Sequence, residues 1–184
     1  MKYIIFILIF FYPSNILASS KQLIKNKLED TDNISFKFIQ KIGKKTEQGE
    51  CIISYSKKIL CRYDDIYNKI LVSNGKSLVI NSKKIKNYLR YQLKDTPLNL
   101  ILDKRFLLDK LDQVETIEEN EKTFSFKIAH NNNLLNIFFD KISYEIEGWT
   151  TTDIYLNKVE TKLSNVETNI MIDEKIFRVQ NYIN

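Results

Sequence analysis

The 184 residues hold 28 lysines and arginines against 23 aspartates and glutamates, a formal charge of +5, with 43% apolar and 28% charged side chains. That balance excludes a disordered chain and supplies enough apolar material for one sizeable core, which is one domain at this length. The positive charge is spread over doublets such as Lys44-Lys45, Lys57-Lys58 and Lys83-Lys84, which suit solvated turns and edge strands, so no nucleic-acid partner is expected.

Residues 1–20 have the form of a secretory signal peptide: Lys2, an apolar run over residues 3–12, a break at Pro13-Ser14-Asn15, and small residues Ala18-Ser19-Ser20 for cleavage. The run is about half of what a bilayer span needs, so removal is expected rather than anchoring. No cysteine stands at the cleavage point to take a lipid, and residues 21–184 are expected to form one exported, soluble domain. Residues 21–29 then carry Leu23, Ile24 and Leu28, a short apolar helical stripe. Ile34, Phe36 and Phe38 alternate with Ser35 and Lys37, the period of a half-buried strand, which continues to Ile42 before a turn at residues 43–46.

Short strands rich in β-branched and aromatic residues are predicted at 49–55, 59–63, 69–72, 77–80 and 85–91, with Ser73-Asn74-Gly75-Lys76 as the sharpest hairpin signal. Cys51 and Cys61 flank a turn at Ser56-Lys57-Lys58. If the strands pair about position 56, the two side chains face each other and an oxidising compartment can bridge them; two free buried thiols are the alternative. Residues 95–104 are the one strong helix signal between two blocks of strands. Pro97 suits a first helical turn, Asp95 or Thr96 is the expected cap, and Leu98, Ile101 and Leu102 share one face. Lys104 and Arg105 are placed to favour that helix's C-terminus, and residues 106–111 either extend it or form a separate turn.

A second strand block is predicted at 114–117, 123–129, 134–139, 144–153 and 155–166, with an Asn131-Asn132-Asn133 turn. In it Phe124, Phe126 and Ile128 alternate with Ser125 and Lys127, so one sheet face is dry and the other wet. The fold class expected is mainly β with small α: one strongly curved antiparallel sheet wrapped over short helices. No catalytic set stands out. His130 is the lone histidine, no nucleophile lies at informative spacing, and Asp64-Asp65 and Glu118-Glu119 read as solvated turns. The chain is therefore expected to be no enzyme and to need no cofactor or metal.

Four pieces together resemble the periplasmic lipoprotein carrier family, LolA. Phe38-Ile39-Gln40-Lys41-Ile42 is similar to the family's F-x-Q-K-V strand. Leu71-Val72-Ser73-Asn74-Gly75-Lys76-Ser77-Leu78 is similar to its L-V-S-D-G-K-T-L hairpin. Asp95-Thr96-Pro97-Leu98-Asn99-Leu100-Ile101-Leu102 is similar to its N-T-P-F-M-L-I-A lid. Gly148-Trp149-Thr150-Thr151-Thr152-Asp153, then Leu163-Ser164-Asn165-Val166, then Ile172-Asp173-Glu174-Lys175-Ile176-Phe177 resemble its closing pattern.

The resemblance runs from about Leu23 to Phe177 and implies an unclosed antiparallel β-barrel capped by lid helices, enclosing an apolar cavity for the acyl chains of a lipoprotein. It implies a monomeric periplasmic carrier that takes lipoproteins from an inner-membrane ABC transporter and gives them to an outer-membrane acceptor. An acceptor or a lipid-sensing regulator of the same fold is the alternative. At about 0.8 kcal/mol per CH₂, exposing one acyl chain to water costs on the order of 12 kcal/mol, so unaided diffusion across an aqueous compartment is excluded. On this reading Leu98, Ile101 and Leu102 form the lipid-binding lid, and Phe36, Phe38, Phe124, Phe126 and Trp149 are candidate cavity walls. One departure stands out. Where the family's arginine latches lid to barrel, an ungapped reading places Tyr55, whose hydroxyl is expected to donate to lid carbonyls in its stead.

Overall fold

A computed structural model describes residues 19–84, 87–130, 133–153 and 157–183. The expected leader, apart from Ser19 and Ser20, lies outside the described residues, as do Asn131 and Asn132 of the expected turn and the starts of two expected strands at Ile85 and Tyr155.

The described strands are β1 Asn33–Ile42, β2 Lys45–Ser54, β3 Lys58–Tyr63, β4 Ile70–Asn74, β5 Ser77–Asn81, β6 Leu89–Gln92, β7 Glu118–Glu119, β8 Thr123–His130, β9 Asn133–Asp140, β10 Ile146–Thr152 and β11 Lys158–Thr168. The helices are α1 Ser20–Glu29, α2 Leu98–Leu102 and α3 Lys104–Gln113. All the strands join one antiparallel sheet in the order β6-β5-β4-β3-β2-β1-β11-β10-β9-β8-β7. Its end strands β6 and β7 do not meet, so the barrel is unclosed. β1 is central: its alternation buries Ile34, Phe36 and Phe38 on the concave face while Ile39 stays about half exposed at 49%.

Two glycines shape the sheet. Gly75 turns the β4–β5 hairpin with φ +92°, which a side chain would strain. Gly148 sits at a register shift between β9 and β10, where an added Cβ would run into the Thr161 carbonyl of β11. The absence of a side chain there lets neighbouring backbone approach at the bend.

The helices differ from expectation in informative ways. α1 is capped by Ser19, whose hydroxyl oxygen accepts from the Gln22 N–H at 3.3 Å. It docks on α3 through Lys25–Asp112 at 2.7 Å and by Lys21 donating to the Val114 carbonyl at 2.6 Å. The expected side-chain cap of α2 is not made. Residues Leu93–Asp95 form a 3₁₀ turn, so Thr96 donates back to the Leu93 carbonyl at 2.8 Å and Pro97 itself holds the cap position. Nor does one helix run through Lys104. Asp103 leaves helical geometry at φ −95°, ψ 88°, and its carboxylate accepts from the Phe106 N–H at 3.1 Å, starting α3 afresh. Lys104 caps a different helix: its ammonium donates to the Glu29 and Thr31 carbonyls, each at 3.0 Å, at the C-terminus of α1.

The simple contrast of one wet and one dry sheet face fails over β3–β5. There Leu60, Val72 and Val79 form a second apolar cluster on the convex side, covered by Phe177 and Val179 of the C-terminal 3₁₀ turns Glu174–Phe177 and Val179–Tyr182. The tail is tied down where Asn81 donates to the Tyr182 carbonyl at 2.6 Å and the Tyr182 hydroxyl donates to the Ile176 carbonyl at 2.9 Å.

Candidate functional site

The concave face of the sheet and α2 line a partly open apolar cavity of about 290 Å³. Pro97, Leu98 and Ile101 contribute the lid side. Opposite them stand Phe36 and Phe38 of β1 and Trp149 of β10, together with Tyr63, Leu71 and Leu78. The aromatic wall is built edge to face. Phe36 meets Trp149 at 6.2 Å between ring centroids and 88° between planes, and Phe38 meets Tyr63 at 5.1 Å and 78°. Lys69 pins Tyr63 by lying 3.8 Å over its ring while pairing with Glu47 at 2.6 Å. Burial works against the Glu47 charge, but Lys45 and Lys69 hold its carboxyl below the usual carboxylate range. Cys51 and Cys61 also line the cavity. They stand opposite each other in the β2–β3 register and are joined as a disulfide. Polar side chains also line the cavity, Gln40 of β1, Thr151 and Thr152 of β10, Asp153 just after it and Thr161 of β11, as does the exposed Tyr91 of β6.

Of the expected lid residues, Leu98 and Ile101 face this cavity and Leu102 does not. α2 is only five residues long and buried on more than one side. Leu102, with 0% exposure, closes it against the core just before the chain breaks at Asp103. Of the expected walls, Phe36, Phe38 and Trp149 line the cavity, whereas Phe124 and Phe126 are core residues. They belong to β8, where Phe126 stacks on Phe139 at 5.8 Å and Phe124 on Tyr144 at 6.1 Å. That part of the sheet shares its core with Leu107 and Leu111 of α3, so apolar side chains fill it. Tyr63, Leu71, Leu78 and the polar residues of the cavity carry no such mark in the sequence. Gln40 was within reach, because it continues the parity of Phe36 and Phe38.

Tyr55 does not donate to the lid. Its hydroxyl is buried and has no hydrogen-bond partner among the described residues, and burial pushes its ionisation far above the ordinary tyrosine range. The barrel reaches the lid one and two residues later. Ser56 forms an antiparallel bridge with Asp103, and the Lys57 ammonium pairs with the Asp103 carboxylate at 2.6 Å. Asp103 therefore joins three things: the β2–β3 turn, the end of α2 and the start of α3. A charge pair made by the turn's own lysine stands where a contact of Tyr55 was expected, and the Tyr55 side chain packs against the core near Leu28 and Ile34.

Among the described residues no helix is long and apolar enough to cross a membrane. No curated protein sequence matches the chain. Solved structures of similar fold include a domain described as an outer-membrane lipoprotein-sorting protein from Vibrio parahaemolyticus, with TM-score 0.51 and 10% identity over 89% of this chain and 96% of that one. They also include the MucA/MucB complex of Pseudomonas aeruginosa, with TM-score 0.51 and 7% identity over 91% of this chain and 63% of that one. A LolA superfamily protein from Nitrosomonas europaea aligns with TM-score 0.46 and 8% identity over 89% of this chain and all (100%) of that one. Residues 29–180, most of the chain, match the family described as outer membrane lipoprotein carrier protein LolA, with the curved sheet and the covered cavity laid out above, and the chain belongs to that family.

Proposed function

We propose that this protein is a periplasmic carrier that shields the acyl chains of lipoproteins and moves them from the inner to the outer membrane. The observation that carries this reading is the apolar cavity lined on one side by Leu98 and Ile101 of a short helix that otherwise packs on the protein's own core. At about 290 Å³ it lies at the low end of the roughly 300–1,000 Å³ usual for small-molecule pockets. Loading acyl chains therefore displaces α2, and its side chains exchange packing on the protein's own core for packing on hydrocarbon. That exchange makes binding reversible, as a carrier between two membranes requires. An inner-membrane ABC transporter would supply the cargo and an outer-membrane acceptor would take it. The protein is proposed to bind rather than catalyse.

Native mass spectrometry of protein recovered from the periplasm tests this. The expected result is a population carrying acylated polypeptide or acyl lipid, and its loss in Leu98→Asp, which puts a charge on the lid side of the cavity. Recovery of wild type free of acyl groups, or undiminished occupancy in the variant, would count against it.

A further inference from the structure

Two loops at one end of the sheet carry apolar side chains that the core does not use. The β3–β4 loop, residues 64–69, holds Ile66 at 82% exposure beside an exposed Tyr67. Where the β5–β6 loop enters β6 stand the exposed Tyr88 and Leu89. The loops lie side by side, since the Lys83 N–H donates to the Tyr67 carbonyl at 2.7 Å and the Lys84 ammonium stands 5.5 Å over the Tyr67 ring. Apolar residues scattered singly over a surface need no explanation, but four on two joined loops make a patch. The first loop is also braced. The Asp65 carboxylate accepts from the Tyr67 and Lys69 N–H groups at 2.9 and 3.1 Å, and the Asp64 N–H donates to the Gln48 carbonyl of β2 at 2.9 Å, so Ile66 is held out by its own loop.

The patch is continuous with the cavity. Leu89 shares the strand parity of Tyr91, which lines the cavity, and pairs with Ile80, another lining residue. On balance its charge is basic: Lys83, Lys84 and Arg90 are exposed, and of the two carboxylates, Asp64 and Asp65, the second is turned to the N–H groups of its own loop. That mixture selects a partner. A stable protein interface buries about 800 Å² a side, more than four side chains on two loops offer. A bilayer needs only what sinks into it: isoleucine and leucine suit the acyl boundary, tyrosine rings the headgroup level, and lysines the phosphates of anionic lipid.

We propose that these two loops dock the protein on an anionic membrane surface, with Ile66 and Leu89 entering the acyl boundary, Tyr67 and Tyr88 at headgroup depth, and Lys83 and Lys84 on lipid phosphates. Docked in this way, the Tyr91 side of the cavity lies against the bilayer, and an acyl chain passes between the two with little exposure to water. Binding of the empty protein to lipid needs no cargo, so this surface goes beyond the carrier reading and is tested apart from it.

The test is co-sedimentation of the full mature chain with vesicles of phosphatidylcholine, with and without phosphatidylglycerol. Wild type should bind the anionic vesicles about tenfold or more tightly than the neutral ones, the worth of two lysines near the surface. Replacing Lys83 and Lys84 together by glutamine should remove most of that preference. Ile66→Asp should weaken binding by about tenfold or more. Because the site is exposed, the same variant should keep the wild-type Tm. In Ile66→Trp, lipid with brominated acyl chains should quench emission beyond the wild-type level, which comes from Trp149 alone. Failure of wild type to sediment, equal binding to the two vesicles, undiminished binding by Ile66→Asp, a preference unchanged in the double lysine variant, or no added quenching in Ile66→Trp would overturn the membrane surface. Each of these leaves the carrier reading standing, since that reading is judged by acyl cargo.

Discussion

Lys57 and Asp103, rather than Tyr55, make the contact between barrel and lid that a single latch residue was expected to make. The Tyr55 hydroxyl is buried and unpartnered among the described residues, so removing it should relieve a desolvation cost. Tyr55→Phe is expected to stabilise the protein by about 1 kcal/mol in a urea titration and to leave the rates of lipid uptake and release alike. Lower stability, or release slowed more than uptake, would return the latch to Tyr55. The difference was not legible from sequence, because alignment finds the position in the strand and says nothing of where the end of the side chain goes. Thr151, by contrast, was within reach, because it shares the strand parity of Trp149 as Gln40 shares that of Phe38.

At the scale of the element, α2 is too short at five residues to be stable by itself and depends on what holds its ends. Asp103 holds one end twice, by capping α3 at the Phe106 N–H and by pairing with Lys57. Asp103→Ala should cost about 1–2 kcal/mol, largely from the lost cap. Asp103→Asn keeps a capping oxygen and should lose under about 1 kcal/mol, since the Lys57 pair is partly exposed. Hydrogen exchange should quicken across α2 in both variants and across the start of α3 only in the alanine variant. Equal protection of α2 in all three proteins would show that the pair does not restrain the lid. The helix itself was legible from Pro97 and the leucine spacing. Its break was not, because Asp103 followed by Lys104 and Arg105 suits the end of one helix as well as the beginning of the next.

At the scale of the whole molecule, the curved antiparallel sheet was readable from the period of β1 and β8, and the β2–β3 register from the turn midway between Cys51 and Cys61. What escaped was which end of the barrel is filled. Phe124 and Phe126 alternate as cleanly as Phe36 and Phe38, and only the docking of α1 and α3 decides which pair meets packed core and which meets space. The convex cluster escaped too, since its cover comes from a tail about a hundred residues downstream, as the separation of 101 between Asn81 and Tyr182 shows. The Cys51–Cys61 bridge closes a short loop, separation 10, and should contribute about 2–3 kcal/mol through the unfolded chain. Replacing both by alanine is expected to lower the guanidinium midpoint accordingly; an unchanged midpoint would mean that the bridge does not constrain the unfolded state.

The missing pairing between β6 and β7 gives the sheet a seam. In a closed barrel every strand is hydrogen-bonded on both sides, so girth is fixed by strand number and stagger. Here the circumference can grow by parting the seam without breaking any ladder bond. On the carrier reading proposed above, such a sheet would serve as a clasp rather than a can, opened to different degrees by cargoes with different numbers of chains.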